Sequence, residues 1–332
     1  MPYETSVLQQ AQAQHQFFLK DKQKEKDLLK ERAYAAKPRI AEIDQMLRQT
    51  ASILVKLTLQ RANMDEFEKV RLDNLALQEE RKDLLHSLDI NPDLLNEGAL
   101  CSACHDTGWQ GKNLCSCLKT HCIQAQIQHL QPLLHGSNHS FKNFSLDYYS
   151  NEAWANGQVP QVAMKKIFDF CRQYSHYFDT FPNKNLLFIG KPGLGKTFLS
   201  GCIAREATLQ GYSVVYGTAE QVFQAFQTRQ FRRNYQDEYE TAQNETRGFL
   251  CCDLLILDDL GTEFTTSITD ATLYDLVNTR LMAGLHTVIS TNLSVEELGK
   301  SYPPQIHSRL RGDYHEMNFI GEDIRQLKKA NF

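Results

Sequence analysis

The chain has 332 residues, a length that suits two or three domains, and its 42% hydrophobic and 23% charged residues are typical of a globular protein. The formal net charge of −4 excludes a uniformly basic nucleic-acid binder but permits a local basic patch. No apolar run approaches the roughly 20 residues that cross a bilayer, and the N-terminus lacks the pattern of a signal peptide. We therefore expect a cytoplasmic protein that makes no membrane contact.

Residues 1–98 are rich in Gln, Lys, Glu and Leu, and their apolar residues recur at steps of three and four. One such run begins at Ile40 and a second begins at Phe67. This spacing predicts amphipathic helices, and their length favours a helical hairpin or coiled coil. Pro38 predicts the start of one helix and the end of its predecessor. The segment is interpreted either as a self-packed bundle or as an arm that binds a partner.

Residues 101–117 read CSACHDTGWQGKNLCSC, with cysteines in two close pairs. Disulfides are rare in a reducing cytosol, so metal binding is the leading explanation. Four thiolates at this spacing are typical of tetrahedral Zn²⁺, and the Asp and Gly residues between the pairs suit a turn. The predicted ligands of this structural zinc knuckle are Cys101, Cys104, Cys115 and Cys117. His105, His121 or Cys122 could replace one of them.

Two other uses of these cysteines are disfavoured. The first pair does not follow a βαβ pattern, which argues against thioredoxin-like redox chemistry. Four sulfur ligands would leave no open position on the metal, which argues against a zinc enzyme.

From Asn185 onward, short apolar runs alternate with segments of helix length. The runs are NLLFIG (185–190), SVVYG (213–217), DLLILDDL (253–260), HTVISTN (286–292) and HEMNFIG (315–321). Continuous apolar strands separated by helices indicate an α/β fold with a five-stranded parallel sheet covered on both faces. The preceding stretch, SFKNFSLDYYS (140–150), is interpreted as a linker whose aromatic residues pack onto this domain.

The first of these strands runs into GKPGLGKT, which fits the phosphate-loop pattern G-x-x-x-x-G-K-[ST] and precedes a helical segment. The residues predicted to bind ATP in and beside this loop are Gly190, Lys191, Pro192, Gly193, Leu194, Gly195, Lys196, Thr197 and Phe198. The glycines allow backbone N–H groups to surround the phosphates. Lys196 supplies charge to the β- and γ-phosphates, and Thr197 offers a hydroxyl to Mg²⁺.

Polar side chains follow two later strands. Asp258 comes after the apolar run LLIL, and it is predicted to end that strand and to hold Mg²⁺ together with Thr197. Asp259 is placed to orient or deprotonate an attacking water, and Asn292 is placed to hold that water against the γ-phosphate. These assignments place the predicted metal-binding and catalytic side chains together at one edge of the sheet.

Residues 226–235 read FQTRQFRRNY, in which arginines alternate with aromatic residues. Bases stack on aromatic faces and phosphates pair with arginines, so this composition suits single-stranded DNA. The predicted DNA contacts are Arg229, Arg232 and Arg233. An ordinary amphipathic helix with a solvated basic face explains the same composition.

The set of motifs GKPGLGKT, LLILDDLGTE, ISTN, SRLRG and GEDIRQLKK resembles the AAA+ P-loop ATPase core of the DnaC/DnaI-type replicative helicase loaders. The transposition helper ATPases of the IstB type share these motifs, and the resemblance covers residues 140–332. It implies that Lys196 and Thr197 belong to Walker A, Asp258 to Walker B, Asp259 to the catalytic acid position and Asn292 to sensor 1. Loaders of the DnaI type also carry a zinc-binding N-terminal region.

The resemblance further implies that Arg309, in SRLRG, is an arginine finger given to a neighbouring subunit, with Arg311 as the rival candidate. Two features depart from the larger AAA+ proteins. Asp259 stands where most have Glu, which implies slow turnover. Eleven residues follow Gly321, too few for a C-terminal helical lid, so a lid-borne sensor 2 is not expected, although Arg325 could partly replace it.

The predicted organisation is a helical, helicase-binding arm at 1–98, a zinc-binding joint and linker helix at 99–139, and the ATPase domain at 140–332. The expected function is that of an ATPase, stimulated by self-association or DNA, that loads a hexameric replicative helicase onto single-stranded DNA with ATP, Mg²⁺ and Zn²⁺ as cofactors. An IstB-type transposition helper and a nucleotide-gated adaptor with little hydrolysis are the alternatives.

Overall fold

The computed structural model describes residues 3–60, 63–96, 98–133, 139–231 and 236–330. The chain forms two compact units: the sheet unit, Met1–Gln12 with Leu118–Phe332, and the helical unit, Ala13–Cys117. The predicted segments instead had boundaries at 98/99 and 139/140. The observed division therefore differs from them, because the first twelve residues and the predicted linker helix are grouped with the sheet.

The helical unit contains most of α1 (Thr5–Ala36), together with α2 (Pro38–Leu59) and α3 (Met64–His86). Pro38 occupies the first turn of α2, directly after α1 ends, so the predicted helix boundary is confirmed. Across the described residues, no helix combines the length and the apolar character that crossing a membrane requires.

The core of the helical unit is small and apolar. Ile40 and Leu85 are fully buried in it, and Leu84 and Leu88 pack against it. Nearby, the Arg81 guanidinium lies 2.5 Å from the largely buried carboxylate of Asp44 and neutralises it. Helices α2 and α3 are thus held to each other by both packing and charge.

A short antiparallel hairpin, β1 (Trp109–Gln110) with β2 (Asn113–Leu114), follows the helices. Gly111 lies in its turn at φ 62°, a left-handed conformation that favours glycine. The hairpin separates the two cysteine pairs and folds them toward each other.

The sheet unit has five parallel strands, which confirms the predicted α/β class. Its elements in chain order are α4 (Ser116–Leu133, of which Ser116 and Cys117 belong to the helical unit), α5 (Pro160–His176), β3 (Asn185–Ile189), α6 (Lys196–Leu209), β4 (Val214–Thr218), α7 (Ala219–Phe231), α8 (Gln236–Cys251), β5 (Leu254–Leu260), α9 (Ser267–Ala283), β6 (His286–Thr291), α10 (Val295–Ser301), α11 (Pro304–Asp313), β7 (His315–Asn318) and α12 (Ile324–Ala330). The strands lie in the order β4-β5-β6-β3-β7.

Both faces of this sheet are buried, as the continuous apolar strands predicted. Along β3, Leu186 and Phe188 join a core with α5 and α6, whereas Leu187 and Ile189 join a second core with α7 and α9. This alternation follows from the two-residue repeat of a strand. The sheet is therefore a rigid layer that fixes the residues at its carboxyl edge.

Strand β5 extends to Leu260, two residues beyond the end predicted at Asp258. Its pairing with β6 shifts register between Leu257 and Leu260, and Asp259 within this shift has the left-handed φ of 55°. Because the irregularity turns the backbone without ending the strand, Asp258 and Asp259 do not follow simple strand alternation.

The edge strand β4 is covered by segments that precede the sheet in sequence. The Gln126 side chain, on α4, accepts a 3.0 Å hydrogen bond from the backbone N–H of Val214. The Tyr3 hydroxyl donates to the carbonyl oxygen of Gly211 at 2.9 Å. These contacts explain why α4 and the N-terminal residues belong to the sheet unit.

Candidate functional site

The phosphate loop connects β3 to α6 and depends on glycine for its shape. Gly193 and Gly195 have φ values of 79° and 92°, in the left-handed region. A Cβ atom at Gly193 would lie 1.9 Å from an oxygen of Asp323, and one at Gly195 would lie 2.9 Å from the Tyr149 hydroxyl. Close packing from both sides therefore permits only glycine at these two positions.

Lys196 lies where the loop becomes helix α6. Its ammonium donates hydrogen bonds to the carbonyl oxygens of Gly190 and Lys191, at 2.6 and 3.0 Å, and to Asn292 Oδ1 at 2.8 Å. Burial lowers the pKa of Lys196, and the charges of Asp259 and Asp258 oppose that shift. The lysine is thus held within the loop and pointed at the carboxyl edge of the sheet.

The Asp258 carboxylate is buried and accepts hydrogen bonds from hydroxyl groups on three elements. Thr197 Oγ1 and the Tyr216 hydroxyl donate to its Oδ2, at 3.0 and 2.7 Å, and Ser290 Oγ donates to its Oδ1. Magnesium prefers oxygen ligands of this kind, and Thr197 and Asp258 present them side by side. The two residues predicted to hold Mg²⁺ therefore have the donor atoms that the ion requires.

Asp259 points its carboxylate toward the same edge. Its backbone N–H donates to Ser290 Oγ at 3.0 Å, and Asn292 Nδ2 lies 3.5 Å from its Oδ1. Burial, followed by the charge of Asp258, raises the pKa of Asp259, while Lys196 opposes the shift. A carboxylate with a raised pKa is better suited to accept a proton from water than an ordinary aspartate.

Lys196, Thr197, Asp259 and Asn292 border a cavity of about 460 Å³, which is within the usual size range of small-molecule sites. Its lining joins the phosphate loop, the carboxyl edge of the sheet, the segment before α5 and the last helix. The lining residues are His139, Asn143, Phe144, Ser145, Tyr148, Pro192, Gly193, Gly195, Lys196, Thr197, Phe198, Asp259, Asn292, Ile324, Arg325 and Lys328. Polar groups that suit phosphate and rings that suit a nucleobase thus face one space.

Apart from Phe198, the aromatic part of this lining was not predicted as a binding site. Phe144 lies 5.9 Å from the Phe198 ring, centroid to centroid, and the Lys328 ammonium lies 5.2 Å from the centroid of Tyr148. The signal was present in the aromatic-rich stretch 140–150 and in the basic run after Gly321. Sequence reasoning assigned the former only to packing, because nothing local indicates that the two segments meet.

The last helix, α12, reaches the loop directly. The backbone N–H of Ile324 donates to the carbonyl oxygen of Gly193 at 3.0 Å, and Arg325 follows on the cavity wall. Arg325 is close enough to counter the raised pKa of Asp259. A short helix thus brings a positive charge to the cavity.

Arg309 lies on α11, between β6 and β7 in sequence, and does not line the cavity of its own chain. Its guanidinium donates to Asp313 Oδ2 at 3.3 Å and to Asn278 Oδ1 at 3.2 Å. Arg311 is more exposed and lies 3.9 Å from a carboxylate oxygen of Glu316. Either arginine would have to act on the cavity of another copy.

The predicted DNA-contacting segment is partly described. Arg229, near the end of α7, donates to Thr246 Oγ1 on α8 at 3.2 Å, and Phe226 packs on Phe249 with ring centroids 6.4 Å apart. Arg232 and Arg233 lie outside the described residues. The part that is described makes internal contacts, as an amphipathic helix does.

The four predicted zinc ligands are brought together in the helical unit. The sulfur atoms of Cys101, Cys104, Cys115 and Cys117 all lie within 4.8 Å of one another, and in the described part of the chain this metal-ligating group contains no histidine. The Gly108 N–H donates to Cys104 Sγ at 3.3 Å. Four thiols at these separations suit a tetrahedral ion such as Zn²⁺.

The turns around the cluster are built for this arrangement. Asp106 has a left-handed φ of 63°, and its carboxylate accepts hydrogen bonds from the N–H groups of Leu100 and Cys101, at 2.9 and 2.8 Å. The Cys117 backbone N–H, together with hydrogen bonds from the neighbouring thiols, lowers the pKa of Cys115 to about 7. A thiol that ionises near neutral pH is prepared to bind a metal.

The sequence of the sheet unit matches a known family. Residues 173–308, which include the phosphate loop, Asp258, Asp259 and Asn292, match the family model "IstB-like ATP binding protein". This stretch is similar to the IstB-like ATP-binding proteins. It extends from α5 into α11 and ends one residue before Arg309.

Two curated relatives are similar to part of this chain. The replicative helicase loader DnaC of Escherichia coli strain K12 is 26% identical over 163 residues, which are 49% of this chain and 64% of that protein. The replicative helicase loader DnaI of Bacillus subtilis strain 168 is 30% identical over 133 residues, which are 40% of each chain. The matches thus span less than two thirds of these relatives. A crystal structure of the DnaC helicase loader matches 54% of this chain and 98% of its own at 20% identity, with a TM-score of 0.42.

Proposed function

We propose that this protein is an ATP-controlled factor that loads a hexameric replicative helicase onto single-stranded DNA. One observation carries the ATPase part of the proposal. Lys196, Thr197, Asp259 and Asn292 border one cavity of about 460 Å³, and Thr197 is hydrogen-bonded to the buried Asp258. The loading role is supported by the similarity of part of this chain to two proteins named as replicative helicase loaders.

In this proposal the phosphate loop and Lys196 bind the ATP phosphates, while the aromatic residues of the linker contact the base. Thr197 and Asp258 would hold Mg²⁺, which neutralises charge on the β- and γ-phosphates when bound. Asp259 accepts the proton of the attacking water, and Asn292 orients that water. The reaction is hydrolysis of ATP to ADP and phosphate.

Turnover is proposed to be slow in the isolated protein. The Asp259 carboxylate is one methylene shorter than the glutamate of most AAA+ proteins and lies 3.5 Å from Asn292 Nδ2, a long hydrogen bond. Arg309 lies away from the cavity of its own chain and would complete the site of a neighbour. Self-association or DNA binding would therefore raise the rate.

The helicase is proposed to bind the helical arm within residues 1–98. Large apolar side chains are exposed near the end of α2 and at the start of α3: Val55 is 59% exposed, Leu59 79% and Met64 81%. Exposed apolar residues grouped in sequence at the ends of two packed helices suit a protein partner. The cysteine cluster within 99–139 is proposed to bind a structural zinc, and the ATPase domain is proposed to comprise 140–332.

A transposition helper is the second candidate function, because the matching family model is named for IstB-like proteins. Such a protein would oligomerise on duplex DNA and direct a transposase. A nucleotide-gated adaptor is the third, because the Asp259 geometry suits weak hydrolysis.

A binding experiment with the full-length chain tests the loading role. The chain should capture the replicative helicase of its host without ATP, and Leu59→Glu should weaken capture at least about tenfold by placing a charge in an apolar contact. Phe17→Glu is the matched control, since Phe17 on α1 is also exposed, at 72%. Leu84 and Leu88 are unsuitable targets because they pack against the core.

Each outcome distinguishes the candidates. Loss of capture by Leu59→Glu alone, with unchanged helicity by circular dichroism, supports the helicase-binding arm. Equal capture by all variants contradicts the proposed surface. Capture of a transposase with no helicase supports the second candidate.

A further inference from the structure

Tyr216 lies on the edge strand β4 and is not part of any motif that was read from the sequence. Its side chain is 9% exposed, and its hydroxyl donates a 2.7 Å hydrogen bond to Asp258 Oδ2. That oxygen also accepts the 3.0 Å hydrogen bond from Thr197 Oγ1. The tyrosine thus contacts the same carboxylate oxygen as the threonine of the phosphate loop.

We propose that Tyr216 is a positioning residue that holds the Asp258 carboxylate in the orientation needed to bind Mg²⁺ with the nucleotide. The inference rests on the proposed ATPase function and extends it to a residue outside the Walker motifs. Ser290 holds Oδ1 from β6, so the two hydroxyls fix the carboxylate from neighbouring strands on either side of β5.

The hydrogen bond from Tyr216 becomes more important to Asp258 when Mg²⁺ binds. When Thr197 turns its hydroxyl toward Mg²⁺, as the proposed function requires, Asp258 Oδ2 loses that donor. The tyrosine hydroxyl then remains as the donor on this oxygen, and without it only the Ser290 contact on Oδ1 restrains the terminal torsion of Asp258. A metal ligand that must first be ordered binds its ion more weakly.

The position of the ring adds a second reason. Tyr216 lines a cavity of about 920 Å³ beside β4 whose walls also include Glu4 and Glu245. The Tyr216 hydroxyl, in contrast with the ring, is hydrogen-bonded to Asp258. The ring belongs to the apolar core on the face of the sheet that α5 and α6 cover, together with Ile203 on α6 and Ile256 on β5. Core packing therefore fixes the ring from which the hydroxyl reaches Asp258.

A hydrogen bond to a carboxylate also has an opposing effect, because it withdraws charge and makes the oxygen a weaker metal ligand. If charge withdrawal dominated, Tyr216→Phe would strengthen Mg²⁺ binding. We expect ordering to dominate, because in Tyr216→Phe the Ser290 contact holds only Oδ1, and Oδ2 has no donor once Thr197 has turned to Mg²⁺. The two effects differ in sign, which makes the experiment decisive.

The test titrates Mg²⁺ into full-length protein that is saturated with a fluorescent, non-hydrolysable ATP analogue, and it compares this with binding of the same analogue in EDTA. Tyr216→Phe should raise the Mg²⁺ midpoint about tenfold, which corresponds to about 1.4 kcal/mol, and should leave the affinity in EDTA unchanged. Tyr174→Phe is the matched control. Its hydroxyl is also buried and hydrogen-bonded, at 3.0 Å to the Lys184 carbonyl, next to the first residue of β3.

The control Tyr174→Phe distinguishes an effect on the orientation of Asp258 from an effect on the stability of the fold. Both variants can lower the melting temperature, but only Tyr216→Phe should move the Mg²⁺ midpoint. An unchanged or lower midpoint overturns the inference, as does an equal loss of affinity with and without Mg²⁺. If the unmodified protein itself binds no ATP analogue, the proposed ATPase function fails and the inference fails with it.

Discussion

Replacing Asp259 with Asn tests the proposed chemistry and the electrostatics of the site in one variant. Asparagine has the same shape and tolerates the left-handed φ of 55° that this residue adopts, so the backbone should be retained. It cannot accept a proton from water. Removing a general base typically lowers the rate by about 10²–10⁴-fold, or about 2.7–5.5 kcal/mol of activation free energy. We expect ATP binding to persist while hydrolysis falls by this amount.

The same change should stabilise the nucleotide-free protein at neutral pH. Burial and the neighbouring Asp258 raise the pKa of Asp259, so its charged form is less favourable in the folded state than in the unfolded state. The protein loses this part of its stability as pH rises through the raised pKa, and regains it below the unfolded value of about 3.9. Asp259→Asn carries no such charge. The variant should therefore be more stable than the unmodified protein at pH 7, and this difference in stability should vanish near pH 4.

Two assays check this reasoning. Phosphate release at saturating ATP measures the rate, with Asp259→Glu as the control that keeps a carboxylate. Thermal melts between pH 4 and pH 8 measure the stability difference, with the partly exposed Asp169→Asn as the control for loss of charge. Hydrolysis by Asp259→Asn at the unmodified rate would refute the role as base. A melting temperature below that of the unmodified protein at every pH would refute the argument from burial.

Two further predictions concern metal and assembly. Protein prepared under reducing conditions should contain one zinc per chain, because a structural site contributes about 10–16 kcal/mol of apparent binding energy. Cys104→Ser removes one ligand and should lose most of the zinc. Elemental analysis that finds no zinc in the unmodified protein would contradict the site. Arg309→Ala should bind ATP but not hydrolyse it, with a loss of about 10³–10⁵-fold for a transferred finger. Mixing it with inactive Lys196→Ala should restore some phosphate release, and if oligomers form without recovery, Arg311 becomes the candidate.

The phosphate loop could be predicted from sequence because its parts are contiguous. One short stretch contains the glycines, Lys196 and Thr197, and the apolar strand before it fixes where the loop lies. Asp258, Asp259 and Asn292 were predictable by a different route. Parallel strands place their carboxyl ends at one edge, so residues that end neighbouring strands meet there whatever their separation in sequence.

The cysteine pairs were predictable because thiols at this spacing have few other uses in a reducing compartment. Their ligand set was left open in sequence, since His105, His121 and Cys122 lie within reach along the chain. The hairpin Trp109–Leu114 decides which thiols converge, because it folds the first pair onto the second.

Helix α2 was predicted with a correct start, because the restriction that proline places on its neighbours is local. The assignment of residues to the two compact units could not be predicted in this local way. Assigning the first twelve residues to the sheet unit depends on single contacts such as that of Tyr3 with Gly211, 208 positions later. No periodicity in the N-terminal segment encodes such a contact.

The sequence by itself determined the class of the fold and the polar edge of the site, because strand texture and motif spacing are local properties. Only the tertiary structure decided that residues 139–148 and α12 close the cavity, and that Tyr216 reaches Asp258. These contacts join segments with no common pattern, and each depends on where the packed sheet and helices place the backbone. Side chains far apart in sequence become a site only when burial of the apolar faces has fixed their distances.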